Sequence, residues 1–153
     1  MQTMRKIVVH ALFIVALLAA GFAIGACNPP GPWFEGLSKP PFQPPAWLFA
    51  PVWSLLYVLI AVAGARTWLR GAASRRMWLW LAQMALNLLW SPAFFGQQSA
   101  GLGLAVIVPL LALIAIYIAV SWRSDRVAAL LFVPYGFWVA FASLLNASIL
   151  VLN

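Results

Sequence analysis

Five long apolar runs dominate this chain: about Ile7–Ala26, Trp47–Leu69, Met77–Phe95, Leu102–Trp122 and Val127–Leu152. Each holds roughly 19 to 26 residues, and about 20 residues at ~1.5 Å rise per residue cross a ~30 Å hydrocarbon layer. A backbone inside lipid must satisfy its own polar groups, so spanning elements are helices or closed barrels. None of the runs alternates polar and apolar residues, which excludes barrel strands. The expected fold is an all-α membrane protein. It is a five-transmembrane helix bundle forming one domain over residues 1–153, with a longer first loop at residues 27–46. Charge is too scarce for a water-facing surface, since 7% of residues are charged and soluble domains carry about 25%.

The placement of charge sets an orientation. Arg5 and Lys6 precede the first run, Arg66, Arg70, Arg75 and Arg76 lie around the second connection, and Arg123 and Arg126 lie in the fourth. All fall on one side, and only Lys39 falls on the other. A net charge of +7 spread in this way reports membrane orientation and does not form a nucleic-acid patch. Cytoplasmic loops collect Lys and Arg, so the N-terminus is expected in the cytoplasm, with the C-terminus and first loop opposite. The charges do not choose between an inner and an outer membrane. Arg5, Lys6, an apolar run and IGAC at Ile24–Cys27 resemble a lipoprotein signal. That run is longer than the usual ~7–15 apolar residues of a signal, so a retained first span is expected.

Several chemistries are excluded by residue supply. Cys27 and His10 are single, which rules out an internal disulfide and multi-cysteine or multi-histidine metal sites. Glu35 and Asp125 are the only acidic residues and both lie outside the runs, so no intramembrane carboxylate pair exists. An ion-coupled exporter needs an ionisable group at depth, and spans two to five offer none. No resident cofactor is expected. His10 reads as a solvated interfacial residue.

The first loop contains WFEGLSKPPFQPP at Trp33–Pro45. Each proline fixes φ and steers its predecessor away from helix, so the loop is ordered at low entropic cost. Trp33, Phe34, Phe42 and Trp47 can rest on a surface below. An interfacial aromatic belt would explain the rings; a lid over a cavity between helices explains the prolines as well.

Three stretches together resemble the TspO/MBR family, the translocator or tryptophan-rich sensory proteins. They are WFEGLSKPPFQPP followed by WLFAPVWSLLY, QMALNLLWSPAFFG at Gln83–Gly96, and PYGFWVAFASLLN at Pro134–Asn146. The motifs stand in order and span nearly the whole chain. The resemblance implies a five-helix membrane bundle, often a homodimer, that binds porphyrins and flat aromatic ligands in a pocket opening toward the first loop. It assigns the pocket to Trp53, Tyr57, Asn87, Trp90, Trp138, Ala142 and Leu145, under a lid that includes Trp33 and Phe34. Two departures matter. Asn146 is followed by ASILVLN, which lacks the tyrosine and arginine of the sterol-recognition stretch of animal members, so no sterol site is expected. Phe34 stands where many members have tyrosine.

Helical spacing is compatible with that assignment. Trp53 and Tyr57 are four apart, Gln83, Asn87 and Ser91 follow one line, and Trp138, Ala142 and Leu145 form a stripe. A flat macrocycle needs ring faces and a few polar points, which these residues supply. Gln83 reads as interhelical glue and Asn87 as pocket. Trp68, Trp78, Trp80 and Trp122 lie near the basic side and read as belt. Pro51, Pro92, Pro109 and Pro134 either kink the spans or are tolerated there. GFAIG at Gly21–Gly25 permits a close helix contact, within the bundle or between copies. The expected function is a membrane receptor or carrier for porphyrin-like tetrapyrroles. The alternative is an enzyme degrading porphyrin under light and oxygen, with Trp53 as its reactive ring.

Overall fold

A computed structural model describes residues 1–153. It has no strands and six α-helices: α1 (Gln2–Cys27), α2 (Pro32–Gly36), α3 (Phe49–Arg70), α4 (Arg75–Ser91), α5 (Ala100–Ser121) and α6 (Arg126–Leu152). The short α2 lies inside the first loop, and a 3-10 turn at Ala46–Leu48 leads into α3. Side-chain oxygens begin the helices that follow the short connections. Ser74 accepts from Met77 N–H, Ser99 from Leu102 N–H and Asp125 from Ala128 N–H. Each satisfies one of the free N–H groups of a first turn. Pro92 has no N–H to continue the α ladder, and there α4 passes into a π-helical turn at Pro92–Gly96. Wider bonds mark it, with Gln97 N–H donating to Pro92 C=O at 2.9 Å.

Four helical rods are long and apolar enough to cross a membrane: Gln2–Cys27, Ala46–Arg70, Ala100–Ser121 and Arg126–Leu152. The expected count of five is not reproduced on this measure. The exception is α4, which has 17 residues, opens on Arg75 and Arg76 and carries Gln83 and Asn87. Of these polar residues the bundle buries Gln83 and Asn87, whereas Arg75 is exposed.

Around the bundle the helices run α1, α3, α6, α5, α4. The closest neighbours are α5 with α6, α1 with α3, α4 with α5, and α3 with α6. The central core holds Leu56, Ile60, Met84, Ile107, Leu110, Ile114, Phe132 and Val139. Two glycines make slots for rings. A Cβ on Gly21 would lie 2.3 Å from the Tyr57 ring, and one on Gly64 would lie 2.5 Å from the Trp80 ring. The first glycine of GFAIG therefore serves the α1–α3 contact, whereas Gly25 faces open space. Trp80 corrects the belt expectation. It is buried and donates its indole N–H to Ile60 C=O at 3.0 Å, because its position two residues from Trp78 turns it to the opposite face of α4. Trp68, Trp78 and Trp122 are exposed. Pro109 and Pro134 lie within helices with their rings exposed.

The two ends of the bundle differ. At one end Arg66 of α3 reaches Asp125 at 2.8 Å and Arg70 reaches it at 3.1 Å. At the other end the first loop meets the carboxyl end of α6. Ser38 N–H donates to Asn153 Oδ1 at 2.9 Å, and Asn153 Nδ2 donates back to Ser38 C=O at 3.1 Å.

Candidate functional site

A polar chain crosses the middle of the bundle. The Tyr57 hydroxyl of α3 donates to Asn87 Oδ1 at 3.0 Å. Asn87 Nδ2 donates to the Tyr135 hydroxyl of α6 at 2.8 Å, and that hydroxyl donates to Gln83 Oε1 at 2.9 Å. Gln83 Nε2 ends the chain on Trp80 C=O at 2.9 Å. Three helices are thus joined through one turn of α4. Gln83, Asn87 and Tyr135 are all buried, where an unpaired amide or hydroxyl would cost about 1–3 kcal/mol.

Above this chain lies a layer of rings. Trp53 sits 5.5 Å from Tyr57 and 6.5 Å from Tyr135. Trp90, one turn beyond Asn87, stacks on Phe94 at 5.2 Å and 21° between planes. The π turn brings Phe94 and Phe95 together at 4.9 Å, and α2 rests on them. Trp33 meets Phe94 edge-on at 5.5 Å, while Phe34 meets Phe95 at 5.3 Å. Lys39 Nζ lies 4.7 Å over the Phe34 ring and donates to Glu35 C=O and Leu37 C=O, folding the lid back on itself. The lid rings therefore contact the ring layer directly. Of the four loop rings, Trp47 and Phe42 are exposed.

Asn146 ties this layer to its surroundings. Its Oδ1 accepts from Trp90 Nε1 at 3.2 Å and its Nδ2 donates to Ala100 C=O at 2.7 Å. A Cβ on Gly103 would lie 2.6 Å from the Phe94 ring and 2.7 Å from Asn146 Oδ1, so the bare glycine lets both approach α5.

Trp138 stands apart from that layer. It contacts Phe49 at 5.7 Å and Phe141 at 5.8 Å. With Val52, Leu55, Leu56, Pro134, Phe137 and Phe141 it lines an apolar groove of about 410 Å³ between α3 and α6. Its indole N–H is buried with no hydrogen-bond partner.

The expected site residues thus fall into three groups. Trp33, Phe34 and Trp90 meet around Phe94; Trp53, Tyr57 and Asn87 meet around Tyr135; Trp138 belongs to the α3–α6 groove. Ala142 packs against the core and Leu145 is buried within α6. Asn87, read as a pocket group, has both side-chain polar atoms engaged between helices. The sequence reading did not single out Tyr135, Asn146 or Phe49 for the site. Tyr135 precedes Trp138 by three residues and so continues the α6 stripe, a signal the spacing already held. Phe49 and Asn146 depend on how helices meet, which spacing within one helix does not encode.

A sequence profile of the TspO/MBR family matches residues 12–152. The chain belongs to the TspO/MBR family. Among its relatives, the tryptophan-rich protein TspO of Chlorobaculum tepidum is 41% identical, over 97% of this chain and 98% of that one. Protein CrtK of Rhodobacter capsulatus is 37% identical, over 97% of this chain and 94% of that one. The human translocator protein is 35% identical, over 74% of this chain and 70% of that one. Membership of the TspO/MBR family and the long apolar helices together make this an integral, multi-pass membrane protein.

Proposed function

We propose that this protein is a membrane receptor or carrier for flat, apolar aromatic ligands of the porphyrin class, held among Trp33, Phe34, Trp53, Tyr57, Asn87, Trp90, Trp138, Ala142 and Leu145. The observation that carries this reading is the ring layer in which Trp33 of the lid lies edge-on to Phe94, itself stacked on Trp90. A planar ligand entering there would exchange ring–ring contacts of the protein for ring–ligand contacts of similar geometry. The Trp138 N–H supplies an unused donor for a carboxylate or carbonyl on such a ligand. Names such as translocator and sensory protein among the relatives agree with a ligand-responsive role.

The finer architecture belongs to the same proposal. The rod formed by α4 and its π turn serves as the fifth span, since Arg75–Gly96 together reach about 30 Å. The arginine-rich end faces the cytoplasm and the lid end faces the opposite compartment of a bacterial cell membrane. The outer face of α1, with Ile7, Leu12, Val15 and Phe22 exposed and Gly25 open, is the surface for a homodimer.

Titration of the purified protein with protoporphyrin IX, read as quenching of tryptophan fluorescence, tests the site. Trp138→Phe and Trp90→Phe are expected to weaken binding about tenfold each, the value of one lost aromatic or polar anchor. Unchanged affinity in both variants would remove the proposed site.

A second reading is light- and oxygen-dependent porphyrin breakdown, favoured by the contact of Trp53 with two phenols, Tyr57 and Tyr135. Illuminated, aerated samples analysed by mass spectrometry would show a defined product that Trp53→Phe abolishes. Equal bleaching of porphyrin in free solution would dismiss this reading.

A further inference from the structure

The end of the bundle opposite the lid carries charge that the aromatic site does not use. The last turns of α3, the first turn of α4, the α5–α6 connection and the start of α6 contribute Arg66, Arg70, Arg75, Arg76, Arg123 and Arg126. Asp125 is the only carboxylate there. It is 3% exposed and takes both Arg66 and Arg70. Burial acts to raise its pKa, but the hydrogen bonds and charges of those arginines and the Ala128 N–H outweigh burial and hold it below the usual carboxylate value. Asp125 is therefore ionised at neutral pH, and its two arginines stay occupied.

The other four arginines have no carboxylate partner, and they are not equivalent. Arg75, Arg123 and Arg126 are exposed, and Arg126 lies 5.1 Å over the Trp122 ring. Arg76 is half-buried, and its Nη1 is fully buried with no hydrogen-bond partner. It lies within electrostatic reach of the Tyr117 hydroxyl on α5, which is paired with Thr67 at 2.7 Å. Ser121, one turn further along α5, is completely buried beside the same hydroxyl. One guanidinium donor is thus unmatched beneath a rim of exposed arginines. A buried guanidinium N–H gains most from an anionic oxygen. A guanidinium suits phosphate in particular, because its donors are planar and paired. The exposed rings of Trp68, Trp78 and Trp122 mark this end as lying at headgroup depth.

We propose that this end of the bundle holds the phosphate of an anionic phospholipid, seated on Arg76 with Arg75 at the rim. The site is separate from the ring layer and does not depend on the ligand bound there. Basic pockets between transmembrane helices on the cytoplasmic side are suited to such headgroups. Diffuse attraction of the whole arginine cluster to a negative membrane surface is the competing explanation. It depends on how many charges are present and not on which arginine carries them.

The test uses the full chain in detergent with equimolar phosphatidylglycerol and phosphatidylcholine, counting retained lipids by native mass spectrometry. Phosphatidylglycerol is expected to be retained at least about fivefold over phosphatidylcholine. Arg76→Gln should bring the ratio near parity, whereas Arg123→Gln, with the same charge change, should alter it less than about twofold. Equal losses in Arg76→Gln and Arg123→Gln would overturn the seat in favour of diffuse attraction, and no lipid preference in the parent protein would overturn it outright. Should Arg76→Gln not fold, Arg76→Lys keeps the charge but loses the fork, and full retention in that variant would equally sink the proposal. Inorganic phosphate added to lipid-free micelles separates the two sources. A thermal shift as large as that given by phosphatidylglycerol would mean a free-anion site and would overturn the lipid assignment.

Discussion

Gly21 of α1 and Tyr57 of α3 are fitted to each other, since a Cβ on the glycine would lie 2.3 Å from the tyrosine ring. The same tyrosine donates to Asn87, so this contact sets the position of the first group in the polar chain. Gly21→Ala should force the ring or the helix aside and destabilise the protein by about 1–3 kcal/mol, the usual cost of overpacking. Gly25→Ala, where the space is open, should change stability by less than about 0.5 kcal/mol. Thermal unfolding of both variants in detergent compares them, and equal stability would mean that α1 yields freely at Gly21.

Tyr135→Phe keeps the ring and removes the hydroxyl that links Asn87 to Gln83. Gln83 Oε1 and Asn87 Nδ2 would then lose their partners inside the bundle. A loss of about 1–3 kcal/mol is expected from one such unsatisfied pair. Denaturant unfolding followed by tryptophan fluorescence would measure it. A change below about 0.5 kcal/mol would mean that the amides re-pair at little cost, as membrane hydrogen bonds sometimes do.

Asp125 predicts an acid limb. Its folded pKa lies below its ordinary value of 3.8, so its contribution to stability is fully present above that value. It fades as pH falls through the lower folded value. Melting temperature should therefore hold from neutral pH down to about pH 4 and drop below it. In Asp125→Asn the protein should be less stable at neutral pH and the acid drop smaller. An acid limb of the same depth in that variant would show that another group controls it.

Asn153 and Ser38 exchange two hydrogen bonds across the lid end. Both residues are exposed, so Asn153→Ala should cost little global stability, less than about 1 kcal/mol. Hydrogen exchange at the Ser38 amide should nevertheless quicken, together with that of the neighbouring lid amides, because local opening is reported there first. Unaltered exchange would mean that the contacts of Trp33 and Phe34 hold the lid without help from α6.

Much of the architecture was legible because it rests on length and period. Apolar runs of membrane-crossing length gave the long helices, and Ser74, Ser99 and Asp125 are the residue types expected to cap them. Trp33, Phe34, Trp53, Tyr57 and Trp90 were readable as ring-bearing positions of family motifs. What stayed hidden was interhelical. Trp80 looked like a belt residue until Gly64 was seen to hold its ring. That Asn87 stands between Tyr57 and Tyr135 could not be read from one helix alone. The π turn at Pro92–Gly96 was hidden too, because a proline near the end of an apolar run is equally compatible with a plain helix end.

The clasp between Asn153 and Ser38 also has a practical bearing on how the protein is handled. Residues fused after Asn153, such as an affinity tag, would emerge beside the roof of the aromatic layer and pull on it. Ligand titrations made with a carboxyl-terminal fusion would then report a loosened roof, whereas an amino-terminal fusion, attached at the arginine-rich end, would leave it untouched.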